Sequence, residues 1–386
     1  MRKIFLLTLC IVFLSCTNHN NSKTSVIPTN DANKTENEQL ADPSNNTNKT
    51  ESEQLADPLI LGGKPYVDFH GKAYRKDEAE LFTSLVCDFN PNAVVRWYSF
   101  EGIEQLVNLR YLSVDGENLD TVDFAPLSSL SNLEGLYIHG NITRLPDLTK
   151  LEKLRDITIE NTYLKSLEGI GAPNIRWIEI NNGAGLNSLA PLNNLPQLEF
   201  LTIISRGSTT LRIADISNLP NLKNLRLLMP FTRIDLQGIE NMPMLGELWI
   251  TESESFNIEG IGKLGNLWRL FLKLVSPQPS VEFLRGMPNL SELSLFGDIE
   301  FLDIYPIQST EPYQTLDFSP LATIKNLRRL GCTGFIIKNI AALDVLDALS
   351  IRDDESPGYI YLAGSRLYDE TEKSRHPLVL EHPVRE

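Results

Sequence analysis

Histidine and cysteine most often carry acid–base or nucleophilic chemistry, yet this chain places neither in a recognisable catalytic motif. The five histidines are His19, His70, His139, His376 and His382. The chain has no His-Glu-x-x-His zinc motif, no Gly-x-Ser-x-Gly nucleophile turn and no phosphate-binding loop. Acidic clusters at 252–254 and 353–355 lack the fixed ligand spacing of a calcium site. We therefore expect neither an enzyme active site nor a bound metal or cofactor.

Aromatic and arginine side chains offer a different chemistry, that of a binding surface. Trp177, Phe200, Trp249 and Phe271 stand at related positions of a sequence repeat. Aromatic residues and arginine dominate binding energy where docking buries them, and contiguous exposed apolar patches mark interaction sites. Their common position in the repeat means that the repeat itself must place them on one surface.

A Leu-x-x-Leu-x-Leu pattern, with Ile, Val or Cys in some positions, occurs eleven times between residues 109 and 351. Its copies start at Leu109, Leu133, Leu154, Ile175, Leu198, Leu222, Leu245, Leu267, Leu290, Leu327 and Leu346. Most starts are 21 to 24 residues apart, with one gap of 37 and a last gap of 19. A period near 22 with this core is the signature of a leucine-rich repeat. Such repeats bury their apolar faces only by stacking into a solenoid with one concave surface.

Over residues 94–352 the pattern resembles bacterial leucine-rich-repeat surface lipoproteins with short, internalin-like repeats. The resemblance implies an α/β-type repeat solenoid with a parallel concave sheet and an irregular or 3₁₀ convex side. Apolar-x-Pro-Leu turns at 124–127, 189–192 and 318–321 suit 3₁₀ geometry. The chain departs from the class at one column, which usually carries asparagine and here holds only Asn141. We therefore expect no continuous asparagine ladder in that column, and irregular loops there.

Side chains alternate in a strand, so the third, fifth and seventh positions of each repeat should point to the concave face. Aromatic and other apolar residues crowd those positions in repeats four to nine, with arginines among them. The residues predicted to contact a partner are Tyr137, Trp177, Phe200, Arg226, Trp249, Arg269, Phe271 and Phe296. An alternative stays open: in a tightly curved solenoid, neighbouring concave side chains cover one another.

The N-terminal segment predicts membrane anchoring through a lipid. Residues 1–15 combine Arg2 and Lys3 with a short apolar run, which is typical of a signal peptide. Cys16 follows a loose lipobox and is the predicted lipidation site, although a plain secretory signal with an unmodified Cys16 is the alternative. Residues 16–63 are polar, include a tandem repeat with a period of 15, and predict a disordered tether.

Two caps and one insertion complete the expected organisation. Residues 64–93 should form an N-terminal cap with a helix at 77–86, and 353–386 a C-terminal cap. The gap of 37 residues places an insertion at 298–315, at the rim of the concave face. Loop insertions in repeats often line the binding edge, but a neutral surface bulge is as good a reading.

The net charge and the cysteines limit which partners and which covalent bonds this chain is expected to have. A formal net charge of −15 disfavours nucleic acid and anionic lipid as partners. Cys87 and Cys332 lie far apart in the repeat order, so we expect no disulfide between them. The favoured function is a lipid-anchored protein of the bacterial envelope, at the outer membrane or cell surface, that binds a protein partner, from the host or the envelope. A carbohydrate or cell-wall ligand, or a structural role without a ligand, are the alternatives.

Overall fold

The computed structural model describes residues 57–68, 70–94, 96–183, 185–205, 210–216, 218–228, 233–251, 254–274, 279–297, 314–350, 359–362, 366–367 and 378–379. The predicted signal peptide, Cys16 and residues 16–56 of the predicted tether lie outside these residues. The same is true of most of the predicted insertion at 298–315 and of the C-terminal cap. The predicted end of the disordered tether at residue 63 is wrong, because Leu59 is buried in the core and Ile60–Leu61 is a strand.

A parallel sheet of thirteen strands, arranged in chain order, forms the concave layer. Its strands are β1 (Ser84–Asp88), β2 (Tyr111–Gly116), β3 (Gly135–Gly140), β4 (Asp156–Thr162), β5 (Trp177–Asn182), β6 (Phe200–Ser205), β7 (Asn224–Leu228), β8 (Glu247–Ile250), β9 (Arg269–Lys273), β10 (Glu292–Phe296), β11 (Arg329–Thr333), β12 (Tyr359–Tyr361) and β13 (Leu378–Val379).

Consecutive strands pair in register, so that the apolar residues of one repeat lie against those of the next. Leu225 pairs with Leu248, and Leu248 pairs with Leu270. These residues are fully buried, while their strand neighbours face the other side of the sheet. The predicted leucine-rich-repeat solenoid with a parallel concave sheet is confirmed.

The convex side consists of turns and short 3₁₀ helices, as predicted. The 3₁₀ helices are Lys76–Leu81, Ile103–Gln105, Leu119–Thr121, Ala125–Ser129, Ala190–Asn194, Ile213–Ile216, Ile239–Asn241, Ile258–Lys263, Glu282–Leu284, Ser319–Thr323, Ile340–Val345 and Asp347–Ser350. Three of them carry proline in the first two positions, where its missing N–H costs nothing. Each of those three buries a leucine: Leu127, Leu192 or Leu321.

Two additional parallel sheets of three short strands each lie beside the main sheet. One contains Thr210–Arg212, Arg233–Asp235 and Glu254–Phe256, and the other Gln314–Asp317, Phe335–Lys338 and Arg366–Leu367. The predicted insertion at 298–315 does not interrupt the main sheet, because Leu293 of β10 pairs directly with Leu330 of β11. Its last two residues begin the strand Gln314–Asp317.

The N-terminal cap differs from the predicted helix at 77–86. A 3₁₀ helix covers only Lys76–Leu81, and β1 follows as the first strand of the sheet. Leu85 and Cys87 are buried whereas Val86 is 66% exposed, which is the period of a strand. The prediction of a helix across this segment is therefore wrong. Phe82, Leu85 and Cys87 repeat the core spacing of the later repeats and could have revealed β1.

An aromatic cluster and a hairpin close this end of the core. The hairpin pairs Ile60–Leu61 with Lys64–Pro65. Tyr66 packs on Tyr74, Phe82 and Trp97 with ring centroids 5.6 to 6.1 Å apart. These large rings cover apolar surface that the first strand would otherwise expose to water.

Over its described residues, 346–350, the eleventh repeat does not form the predicted strand. Ile340–Val345 and Asp347–Ser350 are 3₁₀ helices, and the next strand of the sheet is β12. Leu343, Leu346 and Leu349 are spaced by three residues, which is the period of a 3₁₀ helix, and all three are buried across these two consecutive helices. The short last spacing of 19 residues reflects this helical period.

Cys87 and Cys332 are both buried, on β1 and β11, with nine strands between them. At about 4.8 Å per strand they are on the order of 48 Å apart, far beyond the reach of a disulfide. Burial raises the pKa of the Cys87 thiol well above its usual value.

An asparagine ladder does connect the repeats, but at a position that differs from the predicted column. Seven asparagines stand directly before the first core residue of a repeat, and each donates its side-chain Nδ2 to a main-chain oxygen of the preceding repeat at 2.5 to 2.9 Å. They are Asn108, Asn132, Asn174, Asn221, Asn266, Asn289 and Asn326. Asn182 adds a buried contact, accepting from the Leu164 N–H and donating to the Leu164 oxygen.

We expect Asn221→Ala to lower the free energy of unfolding by about 1 kcal/mol, because it removes the bond from Nδ2 to the Pro196 oxygen. Urea unfolding of the purified protein measures the change. Asn187→Ala is the matched control, since Asn187 is exposed and its side chain has no hydrogen bond within the described residues. Equal losses for the two variants would contradict the role of the ladder.

Candidate functional site

The strand register places every predicted binding residue on the concave face. Tyr137 lies on β3, Trp177 on β5, Phe200 on β6, Arg226 on β7, Trp249 on β8, Arg269 and Phe271 on β9, and Phe296 on β10. Trp177 is beside Phe200, and Trp249 is beside both Arg226 and Phe271. The face divides into two parts with different properties.

In the second part, from β7 onward, aromatic rings cover one another. Trp249 and Phe271 stack with centroids 3.9 Å apart and an interplanar angle of 14°, and Phe271 lies 6.5 Å from Phe296. Arg226 covers the other side of Trp249, with its guanidinium carbon 4.5 Å from the ring centroid. We call Trp249, Phe271 and Phe296 the aromatic ladder.

Trp249 is therefore not the exposed anchor that the sequence predicted. Its side chain is 1% exposed, because Arg226 and Phe271 enclose the ring. Its Nε1 has no hydrogen-bond partner among the described residues. The sequence left open whether concave side chains cover one another, and at Trp249 they do. Trp249 therefore acts in packing.

Charged residues of the same part form a second ladder across adjacent strands. Arg269 Nε donates to Glu292 Oε2 at 2.6 Å, and Arg329 Nη1 donates to Glu292 Oε1 at 2.8 Å. Glu247 pairs with Arg226 at 3.2 Å and with Arg269 at 3.8 Å. We call Glu247, Arg269, Glu292 and Arg329 the ion-pair ladder. Arg226 and Arg269, which were predicted to contact a partner, are thus already held by carboxylates of this chain.

The first part, from β2 to β6, is more open. Tyr111 is 49% exposed and Trp177 is 40% exposed, and Trp177 stacks on the half-buried Phe200 with centroids 4.9 Å apart. Tyr111 lies over Gly135, where a Cβ would stand 2.9 Å from the ring. Gly135 therefore permits this position of the tyrosine. We call Tyr111, Trp177 and Phe200 the open aromatic surface.

Three carboxylates accompany this surface: Asp156, Glu160 and Glu179. None of them forms an ion pair with lysine or arginine within the described part of the chain. Burial raises the pKa of Glu179 and the charge of Glu160 raises it further, while a hydrogen bond from Trp177 and the charge of Arg226 partly oppose both. The ionised form of Glu179 is therefore destabilised in the free protein.

Tyr137 and His139, on β3, are fixed by neighbouring strands. Tyr137 donates its hydroxyl to Glu160 at 2.9 Å, and burial together with this bond raises the pKa of Tyr137 to about 12. His139 contacts Asp115 through Nδ1 at 2.7 Å and Asn161 through Nε2. Both rings are half-buried, so they support the open aromatic surface from the side.

Sequence reasoning did not select Tyr111, Asp156 and Glu179 as binding residues. They occupy the same concave columns as the selected residues, and the alignment of columns was correct through β11. Tyr111 and Asp156 are distinguished by their exposure, and Asp156 and Glu179 by the absence of an ion pair within the described residues; residue types alone reveal neither.

Among the described residues, no group of three or more histidine, cysteine, aspartate or glutamate side chains could hold a metal ion. In the same part of the chain, no helix has the length and apolar character needed to span a membrane.

Comparisons with known proteins identify the fold. No protein-family model matches the chain, and no curated protein has a significantly similar sequence. The chain is similar to the crystal structure of an internalin (inlF) from Listeria monocytogenes, with a TM-score of 0.55, 20% identity, and coverage of 82% of this chain and 91% of that chain. This likeness supports the leucine-rich-repeat fold.

Two further similar structures have lower scores. One is the leucine-rich-repeat protein LIC12759 of Leptospira interrogans, with a TM-score of 0.42, 16% identity, and coverage of 69% of this chain and 75% of that chain. The other is a TDR receptor, with a TM-score of 0.48, 17% identity, and coverage of 76% of this chain and 58% of that chain.

The two concave tryptophans should differ in their effect on stability. Trp249→Ala should lower the free energy of unfolding by about 3–5 kcal/mol, because it empties a fully buried site between Arg226 and Phe271. Trp177→Ala should cost clearly less, since its ring is already 40% exposed. Denaturant unfolding of both variants measures this, and equal losses would contradict the division of the face into two parts.

Proposed function

We propose that this protein is a lipid-anchored component of the bacterial envelope, at the outer membrane or cell surface, that binds a protein partner through the first part of its concave face. One observation carries the proposal: Tyr111 and Trp177 remain exposed on a face whose other half covers its own aromatic rings. Exposed aromatic side chains grouped on one face of a protein are typical of an interaction site.

The extent of the surface favours a macromolecular partner. The strands β2 to β6 are five adjacent strands, which span about 19 Å at about 4.8 Å per gap. Trp177 and Tyr111 supply aromatic contacts, and their column neighbours supply hydrogen-bonding groups. Of the residues first predicted to bind, Trp177 and Phe200 remain as direct contacts and Tyr137 as a lateral support. Arg226, Trp249, Arg269, Phe271 and Phe296 would act through the rigidity of the face.

A carbohydrate is the second candidate ligand. Trp177 offers an exposed ring on which a sugar could stack, and the neighbouring Glu179 and Asp156 could accept hydrogen bonds from hydroxyl groups. A sugar would need only this local group, whereas a protein partner would also depend on Tyr111 three strands away.

The lipid anchor is proposed from the segment around Cys16, outside the described residues. Cys16→Ala should release the protein from the membrane fraction, because the acyl chains supply the membrane affinity and a chain with a net charge of −15 does not. Fractionation of cells and immunoblotting measure this. Cys10→Ala, inside the predicted signal peptide, is the matched control and should leave the protein in membranes. Unchanged partition of Cys16→Ala would contradict lipid anchoring.

Partner binding should depend on the open aromatic surface. A partner is first captured on the purified full-length protein from envelope extracts and host surface proteins. Trp177→Ala and Tyr111→Ala should each weaken its affinity about fivefold or more, the range expected of a central aromatic contact.

Trp268→Ala provides the matched control, since Trp268 is 36% exposed but lies outside the concave columns. It should leave the affinity unchanged. Equal affinity of the wild type and Trp177→Ala, with folding intact, would place the ligand elsewhere.

A further inference from the structure

We propose that the open aromatic surface receives lysine or arginine side chains of the protein partner, so that the partner presents a basic segment to strands β2–β6. The proposal rests on the proposed function and names the chemistry of the partner. The exposed rings locate the binding site, and the charges around them indicate which chemical group of the partner binds there.

The exposed rings leave a space between them that contains a carboxylate. Tyr111 and Trp177 occupy the same column of the sheet, three strand gaps or about 14 Å apart. Gly135 and Asp156 fill the two positions between them. The glycine carries no side chain, and the Tyr111 ring lies over it. A partner side chain entering beside Trp177 therefore meets the Asp156 carboxylate.

Among the described carboxylates on the concave side of β4–β10, only those beside the open aromatic surface lack an ion pair with lysine or arginine. Glu247 and Glu292, on β8 and β10, are neutralised by arginines of this chain. Asp156, Glu160 and Glu179, on β4 and β5, form no such pair within the described residues. Arg176, which precedes β5, pairs with Glu199 at 3.9 Å. Together with Arg155 it acts on Asp156 only at longer range, as Arg226 does on Glu179. A cationic partner would add the close counter-charges that these carboxylates lack.

Aromatic rings beside carboxylates form a favourable receptor for a cation. The face of a tryptophan or tyrosine attracts an ammonium or guanidinium group, and the attraction grows when water is excluded. The protein makes the same contact internally, between Arg226 and Trp249 and between Lys64 and Tyr98. An apolar side chain would instead desolvate Asp156 and Glu179 with no compensating interaction, which is unfavourable, and a sugar would offer them hydrogen bonds but no counter-charge.

The direct test measures the NMR chemical shift of the Trp177 indole N–H in the full-length protein, labelled with ¹⁵N-tryptophan, while a peptide is added. The probe is a glycine–serine peptide with three arginines, and the reference is the same peptide with glutamines. Trp177→Phe assigns the signal among the four tryptophans. Arginine peptide should shift this signal saturably, and glutamine peptide should not.

Charge removal supplies the decisive comparison. The double variant Asp156→Asn with Glu179→Gln should weaken the arginine peptide about fivefold or more. The control pair Glu104→Gln with Glu168→Gln removes the same charge from exposed positions outside the concave columns and should change the affinity less than twofold. Melting curves verify that all variants fold.

Three results would overturn the inference. The first is an unmoved Trp177 signal, the second is an equal response to the glutamine peptide, and the third is a saturable shift with a chito-oligosaccharide in place of the arginine peptide. If one of these occurs while Trp177→Ala still weakens a captured protein partner, only the basic-segment inference fails. If the partner's affinity is also unaffected by Trp177→Ala, the proposed function fails with it.

Discussion

Parallel strands of this chain pair in register because each repeat can bury its apolar side chains only against those of the next repeat. Leu248 lies between Leu225 and Leu270, and a shift by one residue would turn this row toward water. The same register fixes the other side of the sheet. Residues at equal positions of successive repeats become neighbours about 4.8 Å apart, whatever their chemistry. The concave face is therefore a set of columns whose properties depend on which side chains the register brings together.

The columns use this proximity in two ways. In β7–β11, opposite charges alternate and flat rings follow one another, so that Arg269 is held by Glu292 and Trp249 is enclosed by Phe271 and Arg226. Such contacts pair the carboxylates of Glu247 and Glu292 with arginines and bury the Trp249 ring within the protein. In β2–β6, neighbouring side chains leave charges unpaired: Asp156 stands between a glycine and Trp177, and burial raises the pKa of Glu179, which forms no close ion pair within the described residues. A ligand that covers these exposed rings and pairs with these carboxylates gains more binding free energy here than on the half whose side chains already contact one another.

The repeat spacing predicted the solenoid, the parallel sheet and the concave columns, because one strong periodic signal determines all three. It did not predict the burial of Trp249, which depends on how closely Phe271 and Arg226 approach its ring. The alternation of Glu247, Arg269, Glu292 and Arg329 along one column was visible and would have indicated the ion-pair ladder. The predicted strand at 346–352 failed because Leu343, Leu346 and Leu349 satisfy a 3₁₀ period as well as a strand pattern. At the N-terminus the pattern of Phe82, Leu85 and Cys87 was masked by the helix-like composition of the residues before it.

The central claim is that ligand docks on the open half of the concave face rather than on the half that covers itself. Site-specific photo-cross-linking in intact cells tests it most directly, with p-benzoylphenylalanine introduced in place of Tyr111 or, as a reference, in place of the exposed Val107 outside the concave columns. The account predicts a discrete cross-linked adduct from position 111 that is absent from position 107 and is lost when Trp177→Ala is added. An adduct from position 107 alone, or one from position 111 that is unaffected by Trp177→Ala, would contradict it.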